Sequence, residues 1–425
     1  MNGSERSAGN LSHHLQRAQT KYLSRYAEPL AAELVELTWP VKWQHTLVIP
    51  AFRESATLLD RIANSSTGGE SLIVILVVNR PDRGSSAKDN HDLLHAVKSL
   101  EEYWVYDSGV ARLAAVSPLI DLLCIDRDGI GALIPRSQGV GLARKLGADI
   151  AAALIAAQIV SSPWIHCTDA DAKLPADYYQ RVYDVTAKSP AALVHPFIHC
   201  SCKGGEPGVA TQVYDAFLRQ YPCELELAGS PYGYHTLGSC LSAHSAHYCA
   251  VRGFPRRSAA EDFYLLNKLA KTGSVELTAG EPIRITERIS DRVPFGTGPA
   301  VEKLSQSPDP RKELLFYHPD CYTALRRWLQ SWPALYALGQ VPSSDQMLEL
   351  LEDTGAKSTP AQWILPAQIA VALRQLKVES AIAHSLRQSS DYAGFERQMH
   401  TWFDGFRTLK LIRMLPLPRL SYNDL

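Results

Sequence analysis

Two carboxylates one residue apart, Asp169 and Asp171, end the apolar run of WIHCTDADAKLP, Trp164 to Pro175. Side chains at i and i+2 of an extended segment point the same way, so both can converge on one site. Two like charges that close call for a cation, and hard oxygen ligands suit Mg2+ or Mn2+, whose remaining positions a diphosphate fills. The same tripeptide also serves as a plain solvated turn; its place directly after a buried strand favours the metal. A second acidic pair, Glu261 and Asp262, opens SAAEDFYLLNKLAKTG, where Phe263, Leu265, Leu266 and Leu269 mark an amphipathic helix stopped by Gly273. Such a pair complements the helix dipole, or supplies a general base for an attacking hydroxyl; position alone does not choose.

GVGLARKLGAD begins with Gly139 and Gly141, but Arg144 stands where a dinucleotide fingerprint has its third glycine, and a loop rather than the first strand precedes it. A glycine-rich entry into a helix with Arg144 and Lys145 in its first turns can still hold phosphate. In ISDRVPFGTGPAV, Ile289 to Val301, Asp291 and Arg292 precede Gly296-Thr297-Gly298. Such a segment either closes over a diphosphate, with Arg292 neutralising the leaving group, or is a domain-exit loop. His and Cys gather in HPFIHCSC and HSAHYC. Without a C-x-x-C pair, and with alternate residues on opposite strand faces, these read as buried structural residues rather than zinc ligands or a Cys-His nucleophile.

The elements that must position these groups follow from the apolar pattern. Leu15, Ala18, Tyr22, Leu23, Tyr26, Leu30 and Leu34 recur at helical spacing over residues 11–38 and Pro40 stops them, which predicts an N-terminal helix packed on the core. Strands are expected at HTLVIPAF, SLIVILVVNRP, LIDLLCIDR, WIHCT and AALVHPFIHCS. Helices are expected after Arg53, around His91 to Tyr103, over GVGLARKLGADIAAALIAAQIV and over PADYYQRVYDVTAKS. Strands alternating with helices indicate an α/β fold with a doubly wound sheet, whose ligands lie outside the carboxyl ends of the strands. Past the polar SQSPDPRKE, amphipathic helices carry Trp328, Trp332, Trp363 and Trp402. The expected organisation is an N-terminal helix over 1–40, an α/β domain over 41–300 and a helical extension over 301–425.

Composition bounds the partners. With 46% hydrophobic and 20% charged residues, 425 residues suffice for one large domain with an appendage, or for two domains. Lys and Arg number 43 against 44 Asp and Glu, a net charge of -1, so no global field draws the chain to nucleic acid or an anionic membrane. The N-terminal twenty residues lack an apolar core, and no later stretch offers about 18 uncharged apolar residues, so a cytoplasmic chain without a transmembrane segment is expected. Its eight cysteines, too sparse for a disulfide scaffold, are then expected to be reduced.

The order of motifs resembles the family 2 glycosyltransferases: a strand with VIPAFRE, a strand ending VVNRPD, the helix GVGLARKLGAD, a strand ending CTDAD, and Val251-Arg252-Gly253-Phe254 leading to Glu261-Asp262. The resemblance covers roughly residues 45 to 290. It implies a GT-A fold, the Rossmann-like mixed sheet of nucleotide-diphospho-sugar transferases flanked by helices. It also implies an inverting, non-processive hexosyltransferase, which uses a divalent metal, Mg2+ or Mn2+, to move sugar from a UDP- or GDP-sugar to an acceptor hydroxyl. By the same resemblance Asp171 holds the metal and Asp169 supports the metal or the donor ribose, while Asp262 is the base and Glu261 its positioning neighbour. Pro50, Ala51 and Glu54 border the nucleotide, Asn79 and Asp82 contact the base, and Arg144 faces the phosphates or braces the metal strand.

Three departures stand out. The second strand ends Val-Asn-Arg-Pro-Asp instead of in aspartates, Lys145 replaces the usual asparagine, and no Q-x-x-R-W pentad of processive synthases follows Asp262. A sugar-1-phosphate nucleotidyltransferase, which needs a glycine-rich basic loop after its first strand, fits less well, because PAFRESATLL has one arginine and no glycine. A non-catalytic nucleotide-sugar-binding scaffold is the remaining alternative.

Overall fold

A computed structural model of the chain describes residues 3–129, 131–185, 190–201, 206–287, 296–352 and 364–424. They form two compact units, Met1–Gly208 with Thr236–Glu302, and Val209–His235 with Lys303–Leu425.

The strands of the first unit are, in chain order, β1 (His45–Ala51), β2 (Leu72–Asn79), β3 (Glu102–Tyr106), β4 (Ala111–Ser117), β5 (Ile120–Arg127), β6 (Trp164–Cys167), β7 (Ala172–Lys173), β8 (Pro190–Val194), β9 (Phe197–Cys200), β10 (Leu241–His244), β11 (Ser274–Leu277) and β12 (Ile283–Thr286). Nine of them form one sheet in the order β11-β8-β10-β6-β1-β2-β5-β4-β3. β1 runs parallel to β2 from His45↔Leu72 to Ala51↔Val78, and β2 parallel to β5 from Leu72↔Ile120 to Asn79↔Arg127. Every residue of β1 and β2 is buried, the signature of strands covered on both faces. The sheet is mixed: β10 runs antiparallel between β6 and β8, and β3 and β4 close the other flank antiparallel. A large mixed sheet flanked by helices, as expected, forms the centre of this unit.

From β1 the chain passes through β2 to the edge strand β3, comes back inward through β4 and β5, and then crosses to lay β6 on the other side of β1. Between β1 and β6 lies the switch point at which an open α/β sheet opens a crevice beyond its carboxyl ends. The helix Gly139–Ala156 covers this part of the sheet, and its Ala-rich composition lets it approach closely. A Cβ on Gly147 would lie 2.5 Å from Val48 Cγ1 and 3.2 Å from Val77 Cγ2. Ile150 and Leu154 of the same helix are wholly buried, each contributing about 1.5–3 kcal/mol of apolar burial.

Several local expectations change. The N-terminal helix is two, Gly3–Arg25 and Pro29–Val35, because Pro29 cannot continue the first. AALVHPFIHCS divides at His195-Pro196 into β8 and β9, which belong to different sheets; β9 joins β7 and β12 in the order β7-β12-β9. The helix around His91 ends at Lys98, and Tyr103 lies in the edge strand β3. PADYYQRVYDVTAKS forms turns and a single 3-10 turn, Gln180–Val182, among its described residues, because Tyr178 and Tyr179 are both drawn into the core.

The first helix is tied down by a buried polar knot. Asp149 is fully buried and accepts from Tyr22 Oη (2.6 Å), Tyr248 Oη (2.7 Å), Glu28 N (2.8 Å) and Lys145 Nζ (2.8 Å). Burial and the Asp149 charge hold both phenols protonated far above the usual tyrosine range.

In the second unit, helices including Val209–Leu227, Pro319–Gln330, Trp332–Leu338, Tyr392–Trp402 and Gly405–Met414 enclose an aromatic core. Trp328 packs edge-on to Trp332 at 5.7 Å, and both meet Phe403. Trp402 tilts on Phe403 at 6.0 Å, while Trp363 lies outside the described residues. Asp391 and Asp404 cap their helices by accepting from Gly394 N and Arg407 N. No described helix is long and apolar enough to cross a membrane.

Candidate active site

β6 ends at Cys167, and Thr168 clips the strand end in place by bonding Val48 O through its amide and Ser239 O through its hydroxyl. Beyond it Ala170 is buried, whereas Asp169 and Asp171 stay partly exposed. Thr286 N donates to Asp171 O at 3.1 Å, so the small β7-β12-β9 sheet fixes the backbone that carries the second carboxylate.

The second acidic pair arrives from the other side. Ala260, in the left-handed conformation at φ 59°, turns the chain so that the helix Glu261–Leu269 begins with both carboxylates. Asp262 Oδ1 accepts from Phe263 N at 2.7 Å, and the Gly238 amide also reaches this carboxylate.

Arg144 joins the pairs. Its guanidinium is nearly buried, with Nη2 at 2.5 Å from Asp169 Oδ1 and Nε at 3.2 Å from Glu261 Oε1. Gly238 is required beside it, since a Cβ there would lie 2.3 Å from Nη1. Cys240 feels the charges of Asp169, Asp171 and Arg144, which places all three around the segment Gly238–Cys240. Burial lowers the affinity of Arg144 for its proton, but Asp169, Glu261 and Asp262 together raise it above the ordinary arginine value.

Among the described residues, the Arg144 guanidinium is the cation paired with these carboxylates, and one positive charge does not balance them. Burial, together with the Asp262 charge, pushes Glu261 up to about 7 in spite of Arg144, and burial raises Asp262 as well. The excess of negative charge is what a divalent cation would relieve. Among the described residues no three His, Cys, Asp or Glu form a metal-binding set, because Arg144 stands between Asp169 and Glu261. Asp169 and Asp171 alone match the two-carboxylate pattern in which Mg2+ takes its other ligands from water and phosphate. Arg144 Nη1, buried without a hydrogen-bond partner among the described residues, adds a donor suited to an anionic ligand.

The remaining predicted residues lie along the same sheet edge or elsewhere. Pro50 and Ala51 end β1, Glu54 follows in the loop, and Asn79 ends β2, 6% exposed. Asp82 is exposed in the loop after β2, where its Oδ1 accepts from Arg136 N at 2.9 Å and its amide donates to Ile134 O. Lys145, expected next to Arg144 as a phosphate holder, is buried on Asp149 and Tyr22. Gly139 and Gly141 do not cradle an anion; Gly141 N donates to Arg257 O at 2.9 Å, and a Cβ at Gly141 would lie 2.5 Å from that oxygen and 2.6 Å from Pro255 O. Gly141→Ala is therefore expected to cost about 1–3 kcal/mol through overpacking, read as a lowered Tm; an unchanged Tm would remove this contact as the reason for the glycine. Asp291 and Arg292 lie outside the described residues. His166 and His195 share Ser242 Oγ at 2.8 and 2.9 Å within the core, and every described cysteine is free.

Sequence reasoning missed a buried cluster at the ends of β2 and β5. Arg80 Nε donates to Asp128 Oδ1 at 2.6 Å, and Asn90 Nδ2 donates to Asp128 Oδ1 and Asn79 O, both at 3.1 Å. Asn90 Oδ1 accepts from the amide of Arg53, which has φ 55°. The only signal was Asn90 standing before an apolar helix, where it reads as a cap.

No known family model matches the chain, and no curated protein matches it. Among solved structures, the mannosyltransferase PcManGT from Pyrobaculum calidifontis in complex with GDP-Man and Mn2+ aligns over 93% of this chain and 97% of that one. The two are 14% identical, with a TM-score of 0.34.

Proposed function

We propose that the chain is a GT-A glycosyltransferase of family 2 type that moves a sugar from a UDP- or GDP-sugar to an acceptor hydroxyl, inverting the anomeric centre. The observation that supports it is the gathering of Asp169, Glu261 and Asp262 around the guanidinium of Arg144, with Asp171 two residues beyond Asp169, close to the switch-point edge of the sheet. Asp262, partly exposed and held by two backbone amides, takes the proton of the attacking hydroxyl. Glu261 acts through Arg144, which in turn fixes Asp169. Asp171 and Asp169 would hold Mg2+ or Mn2+, which supplies charge neutralisation for the departing diphosphate. Pro50, Ala51 and Glu54 would border the nucleotide, Asn79 and Asp82 would contact its base, and Arg292 would neutralise the leaving group.

The test is thermal stabilisation of the full chain by UDP, GDP, CDP and dTDP, with and without Mn2+. Metal-dependent stabilisation by one nucleotide is expected, and Asp171→Ala should abolish it; at 100 times Kd the effect is about 2.7 kcal/mol. Stabilisation by none of the nucleotides would overturn the proposal. Binding that survives with turnover absent from the wild type would leave a nucleotide-sugar scaffold.

A further inference from the structure

At the opposite edge of the sheet, the residues that lead into β1, β2, β3 and β5 border a solvent-open cavity of about 540 Å³. That volume is in the range of small-molecule sites, roughly 300–1,000 Å³. At its base Trp43, 2% exposed, donates Nε1 to Asp121 Oδ2 at 2.9 Å, and Asp121 itself is only 8% exposed. Tyr103 lines the same cavity as this carboxylate, and 47% of it remains exposed. A buried carboxylate and an aromatic ring whose body stays half in solvent thus share one cavity wall. Val41 and Leu119, both more than 40% exposed, line the same cavity, so three of the large apolar side chains left in water gather here.

The rim decides the class of ligand. Lys42 opposes Glu101 and Asp121 in sign, so the cavity presents no single charge with which to select an ion. Ser71 and Ser117 add hydroxyls. An aromatic ring, aliphatic walls and hydrogen-bonding groups of both kinds match a neutral ring with an apolar C–H face and a hydroxylated edge.

We infer that this cavity is a second ligand site, for a neutral saccharide that stacks on Tyr103 beside Val41 and Leu119 and donates hydroxyls to Asp121 and Glu101. It is separate from the carboxylate site, because β1 alone, at about 3.3 Å per residue over seven residues, puts roughly 23 Å between the two edges.

Saturation-transfer NMR and calorimetry on the full chain, with maltotriose, cellotriose, mannotriose and chitotriose as neutral probes and choline and glucuronate as charged ones, test the assignment. One neutral trisaccharide is expected to bind with a millimolar Kd. Tyr103→Ala should weaken it by about tenfold, or about 1.4 kcal/mol, and Tyr103→Phe should keep most of the affinity, with Tm confirming the fold of each. No binding by any neutral probe, equal binding by Tyr103→Ala, or saturation by a charged probe instead would overturn the inference. Nucleotide binding measured on the same samples separates the two sites. Saccharide binding through Tyr103 without nucleotide binding would sink the glycosyltransferase reading and leave this one standing, and the reverse pattern would do the opposite.

Discussion

Asp262→Asn is expected to lower kcat by about 10²–10⁴-fold with nucleotide binding changed little, the usual range for loss of a general base. The side chain keeps its shape and its backbone bonds from Phe263 and Gly238, so what disappears is the ability to take a proton. Glu261→Gln should behave differently, because Glu261 is buried against Arg144. Its proton also links activity to stability. Burial pushes Glu261 up to about 7, so the folded state holds a proton that the unfolded chain releases in the ordinary glutamate range. The stability this contributes is fully present below the unfolded value and is lost as pH rises through about 7. An active base must be ionised, so kcat/KM should climb over the same interval, and the two apparent values belong to the pair rather than to either residue. Thermal melts and rate profiles across pH 5–8 check this: wild type should lose stability as it gains rate, and Glu261→Gln should show a flatter stability profile. Opposite slopes would remove Glu261 as a proton store.

The second large effect is on folding. Asp149→Ala should destabilise by about 3–5 kcal/mol, because it leaves the Lys145 ammonium buried without its partner and frees two phenols and an amide. For a unit of this size that is a fall in Tm on the order of 10 °C. Replacing both charges, Asp149→Ala with Lys145→Met, should recover a large part of the loss, since an apolar pair often substitutes for a buried ionic one. Denaturant melts of the two variants give the coupling directly. A double variant as unstable as Asp149→Ala would mean that the phenols, and not the ion pair, dominate the knot.

The sequence made the strand before Asp169 and the helix after Glu261 legible because each depends on local periodicity. It could not assign the glycines of the Gly139 segment, whose reason is the backbone of Arg257, more than a hundred residues away. Arg144 was ambiguous for the same reason: whether it faces a phosphate or a carboxylate depends on where Asp169 and Glu261 arrive. Pro196 was a visible breaker inside an apolar run, and the division of β8 from β9 follows from it. EYWVY has the aromatic and β-branched character of a strand, and the preceding helical pattern masked it. Tyr178 and Tyr179 show tertiary burial overriding a local helix pattern.

The docking of the first helix also bears on how the chain is made. Gln19 donates to Ser245 Oγ across 226 residues, and Tyr22 and Glu28 wait for Asp149 and, through it, Tyr248. At synthesis rates of about 5–20 residues per second, roughly 6 to 25 s separate the emergence of this helix from that of Asp149, and roughly 10 to 45 s from that of Ser245. This helix therefore leaves the ribosome well before its partners exist, and for that interval its apolar stripe of Leu15, Ala18 and Tyr22 is open to chaperones.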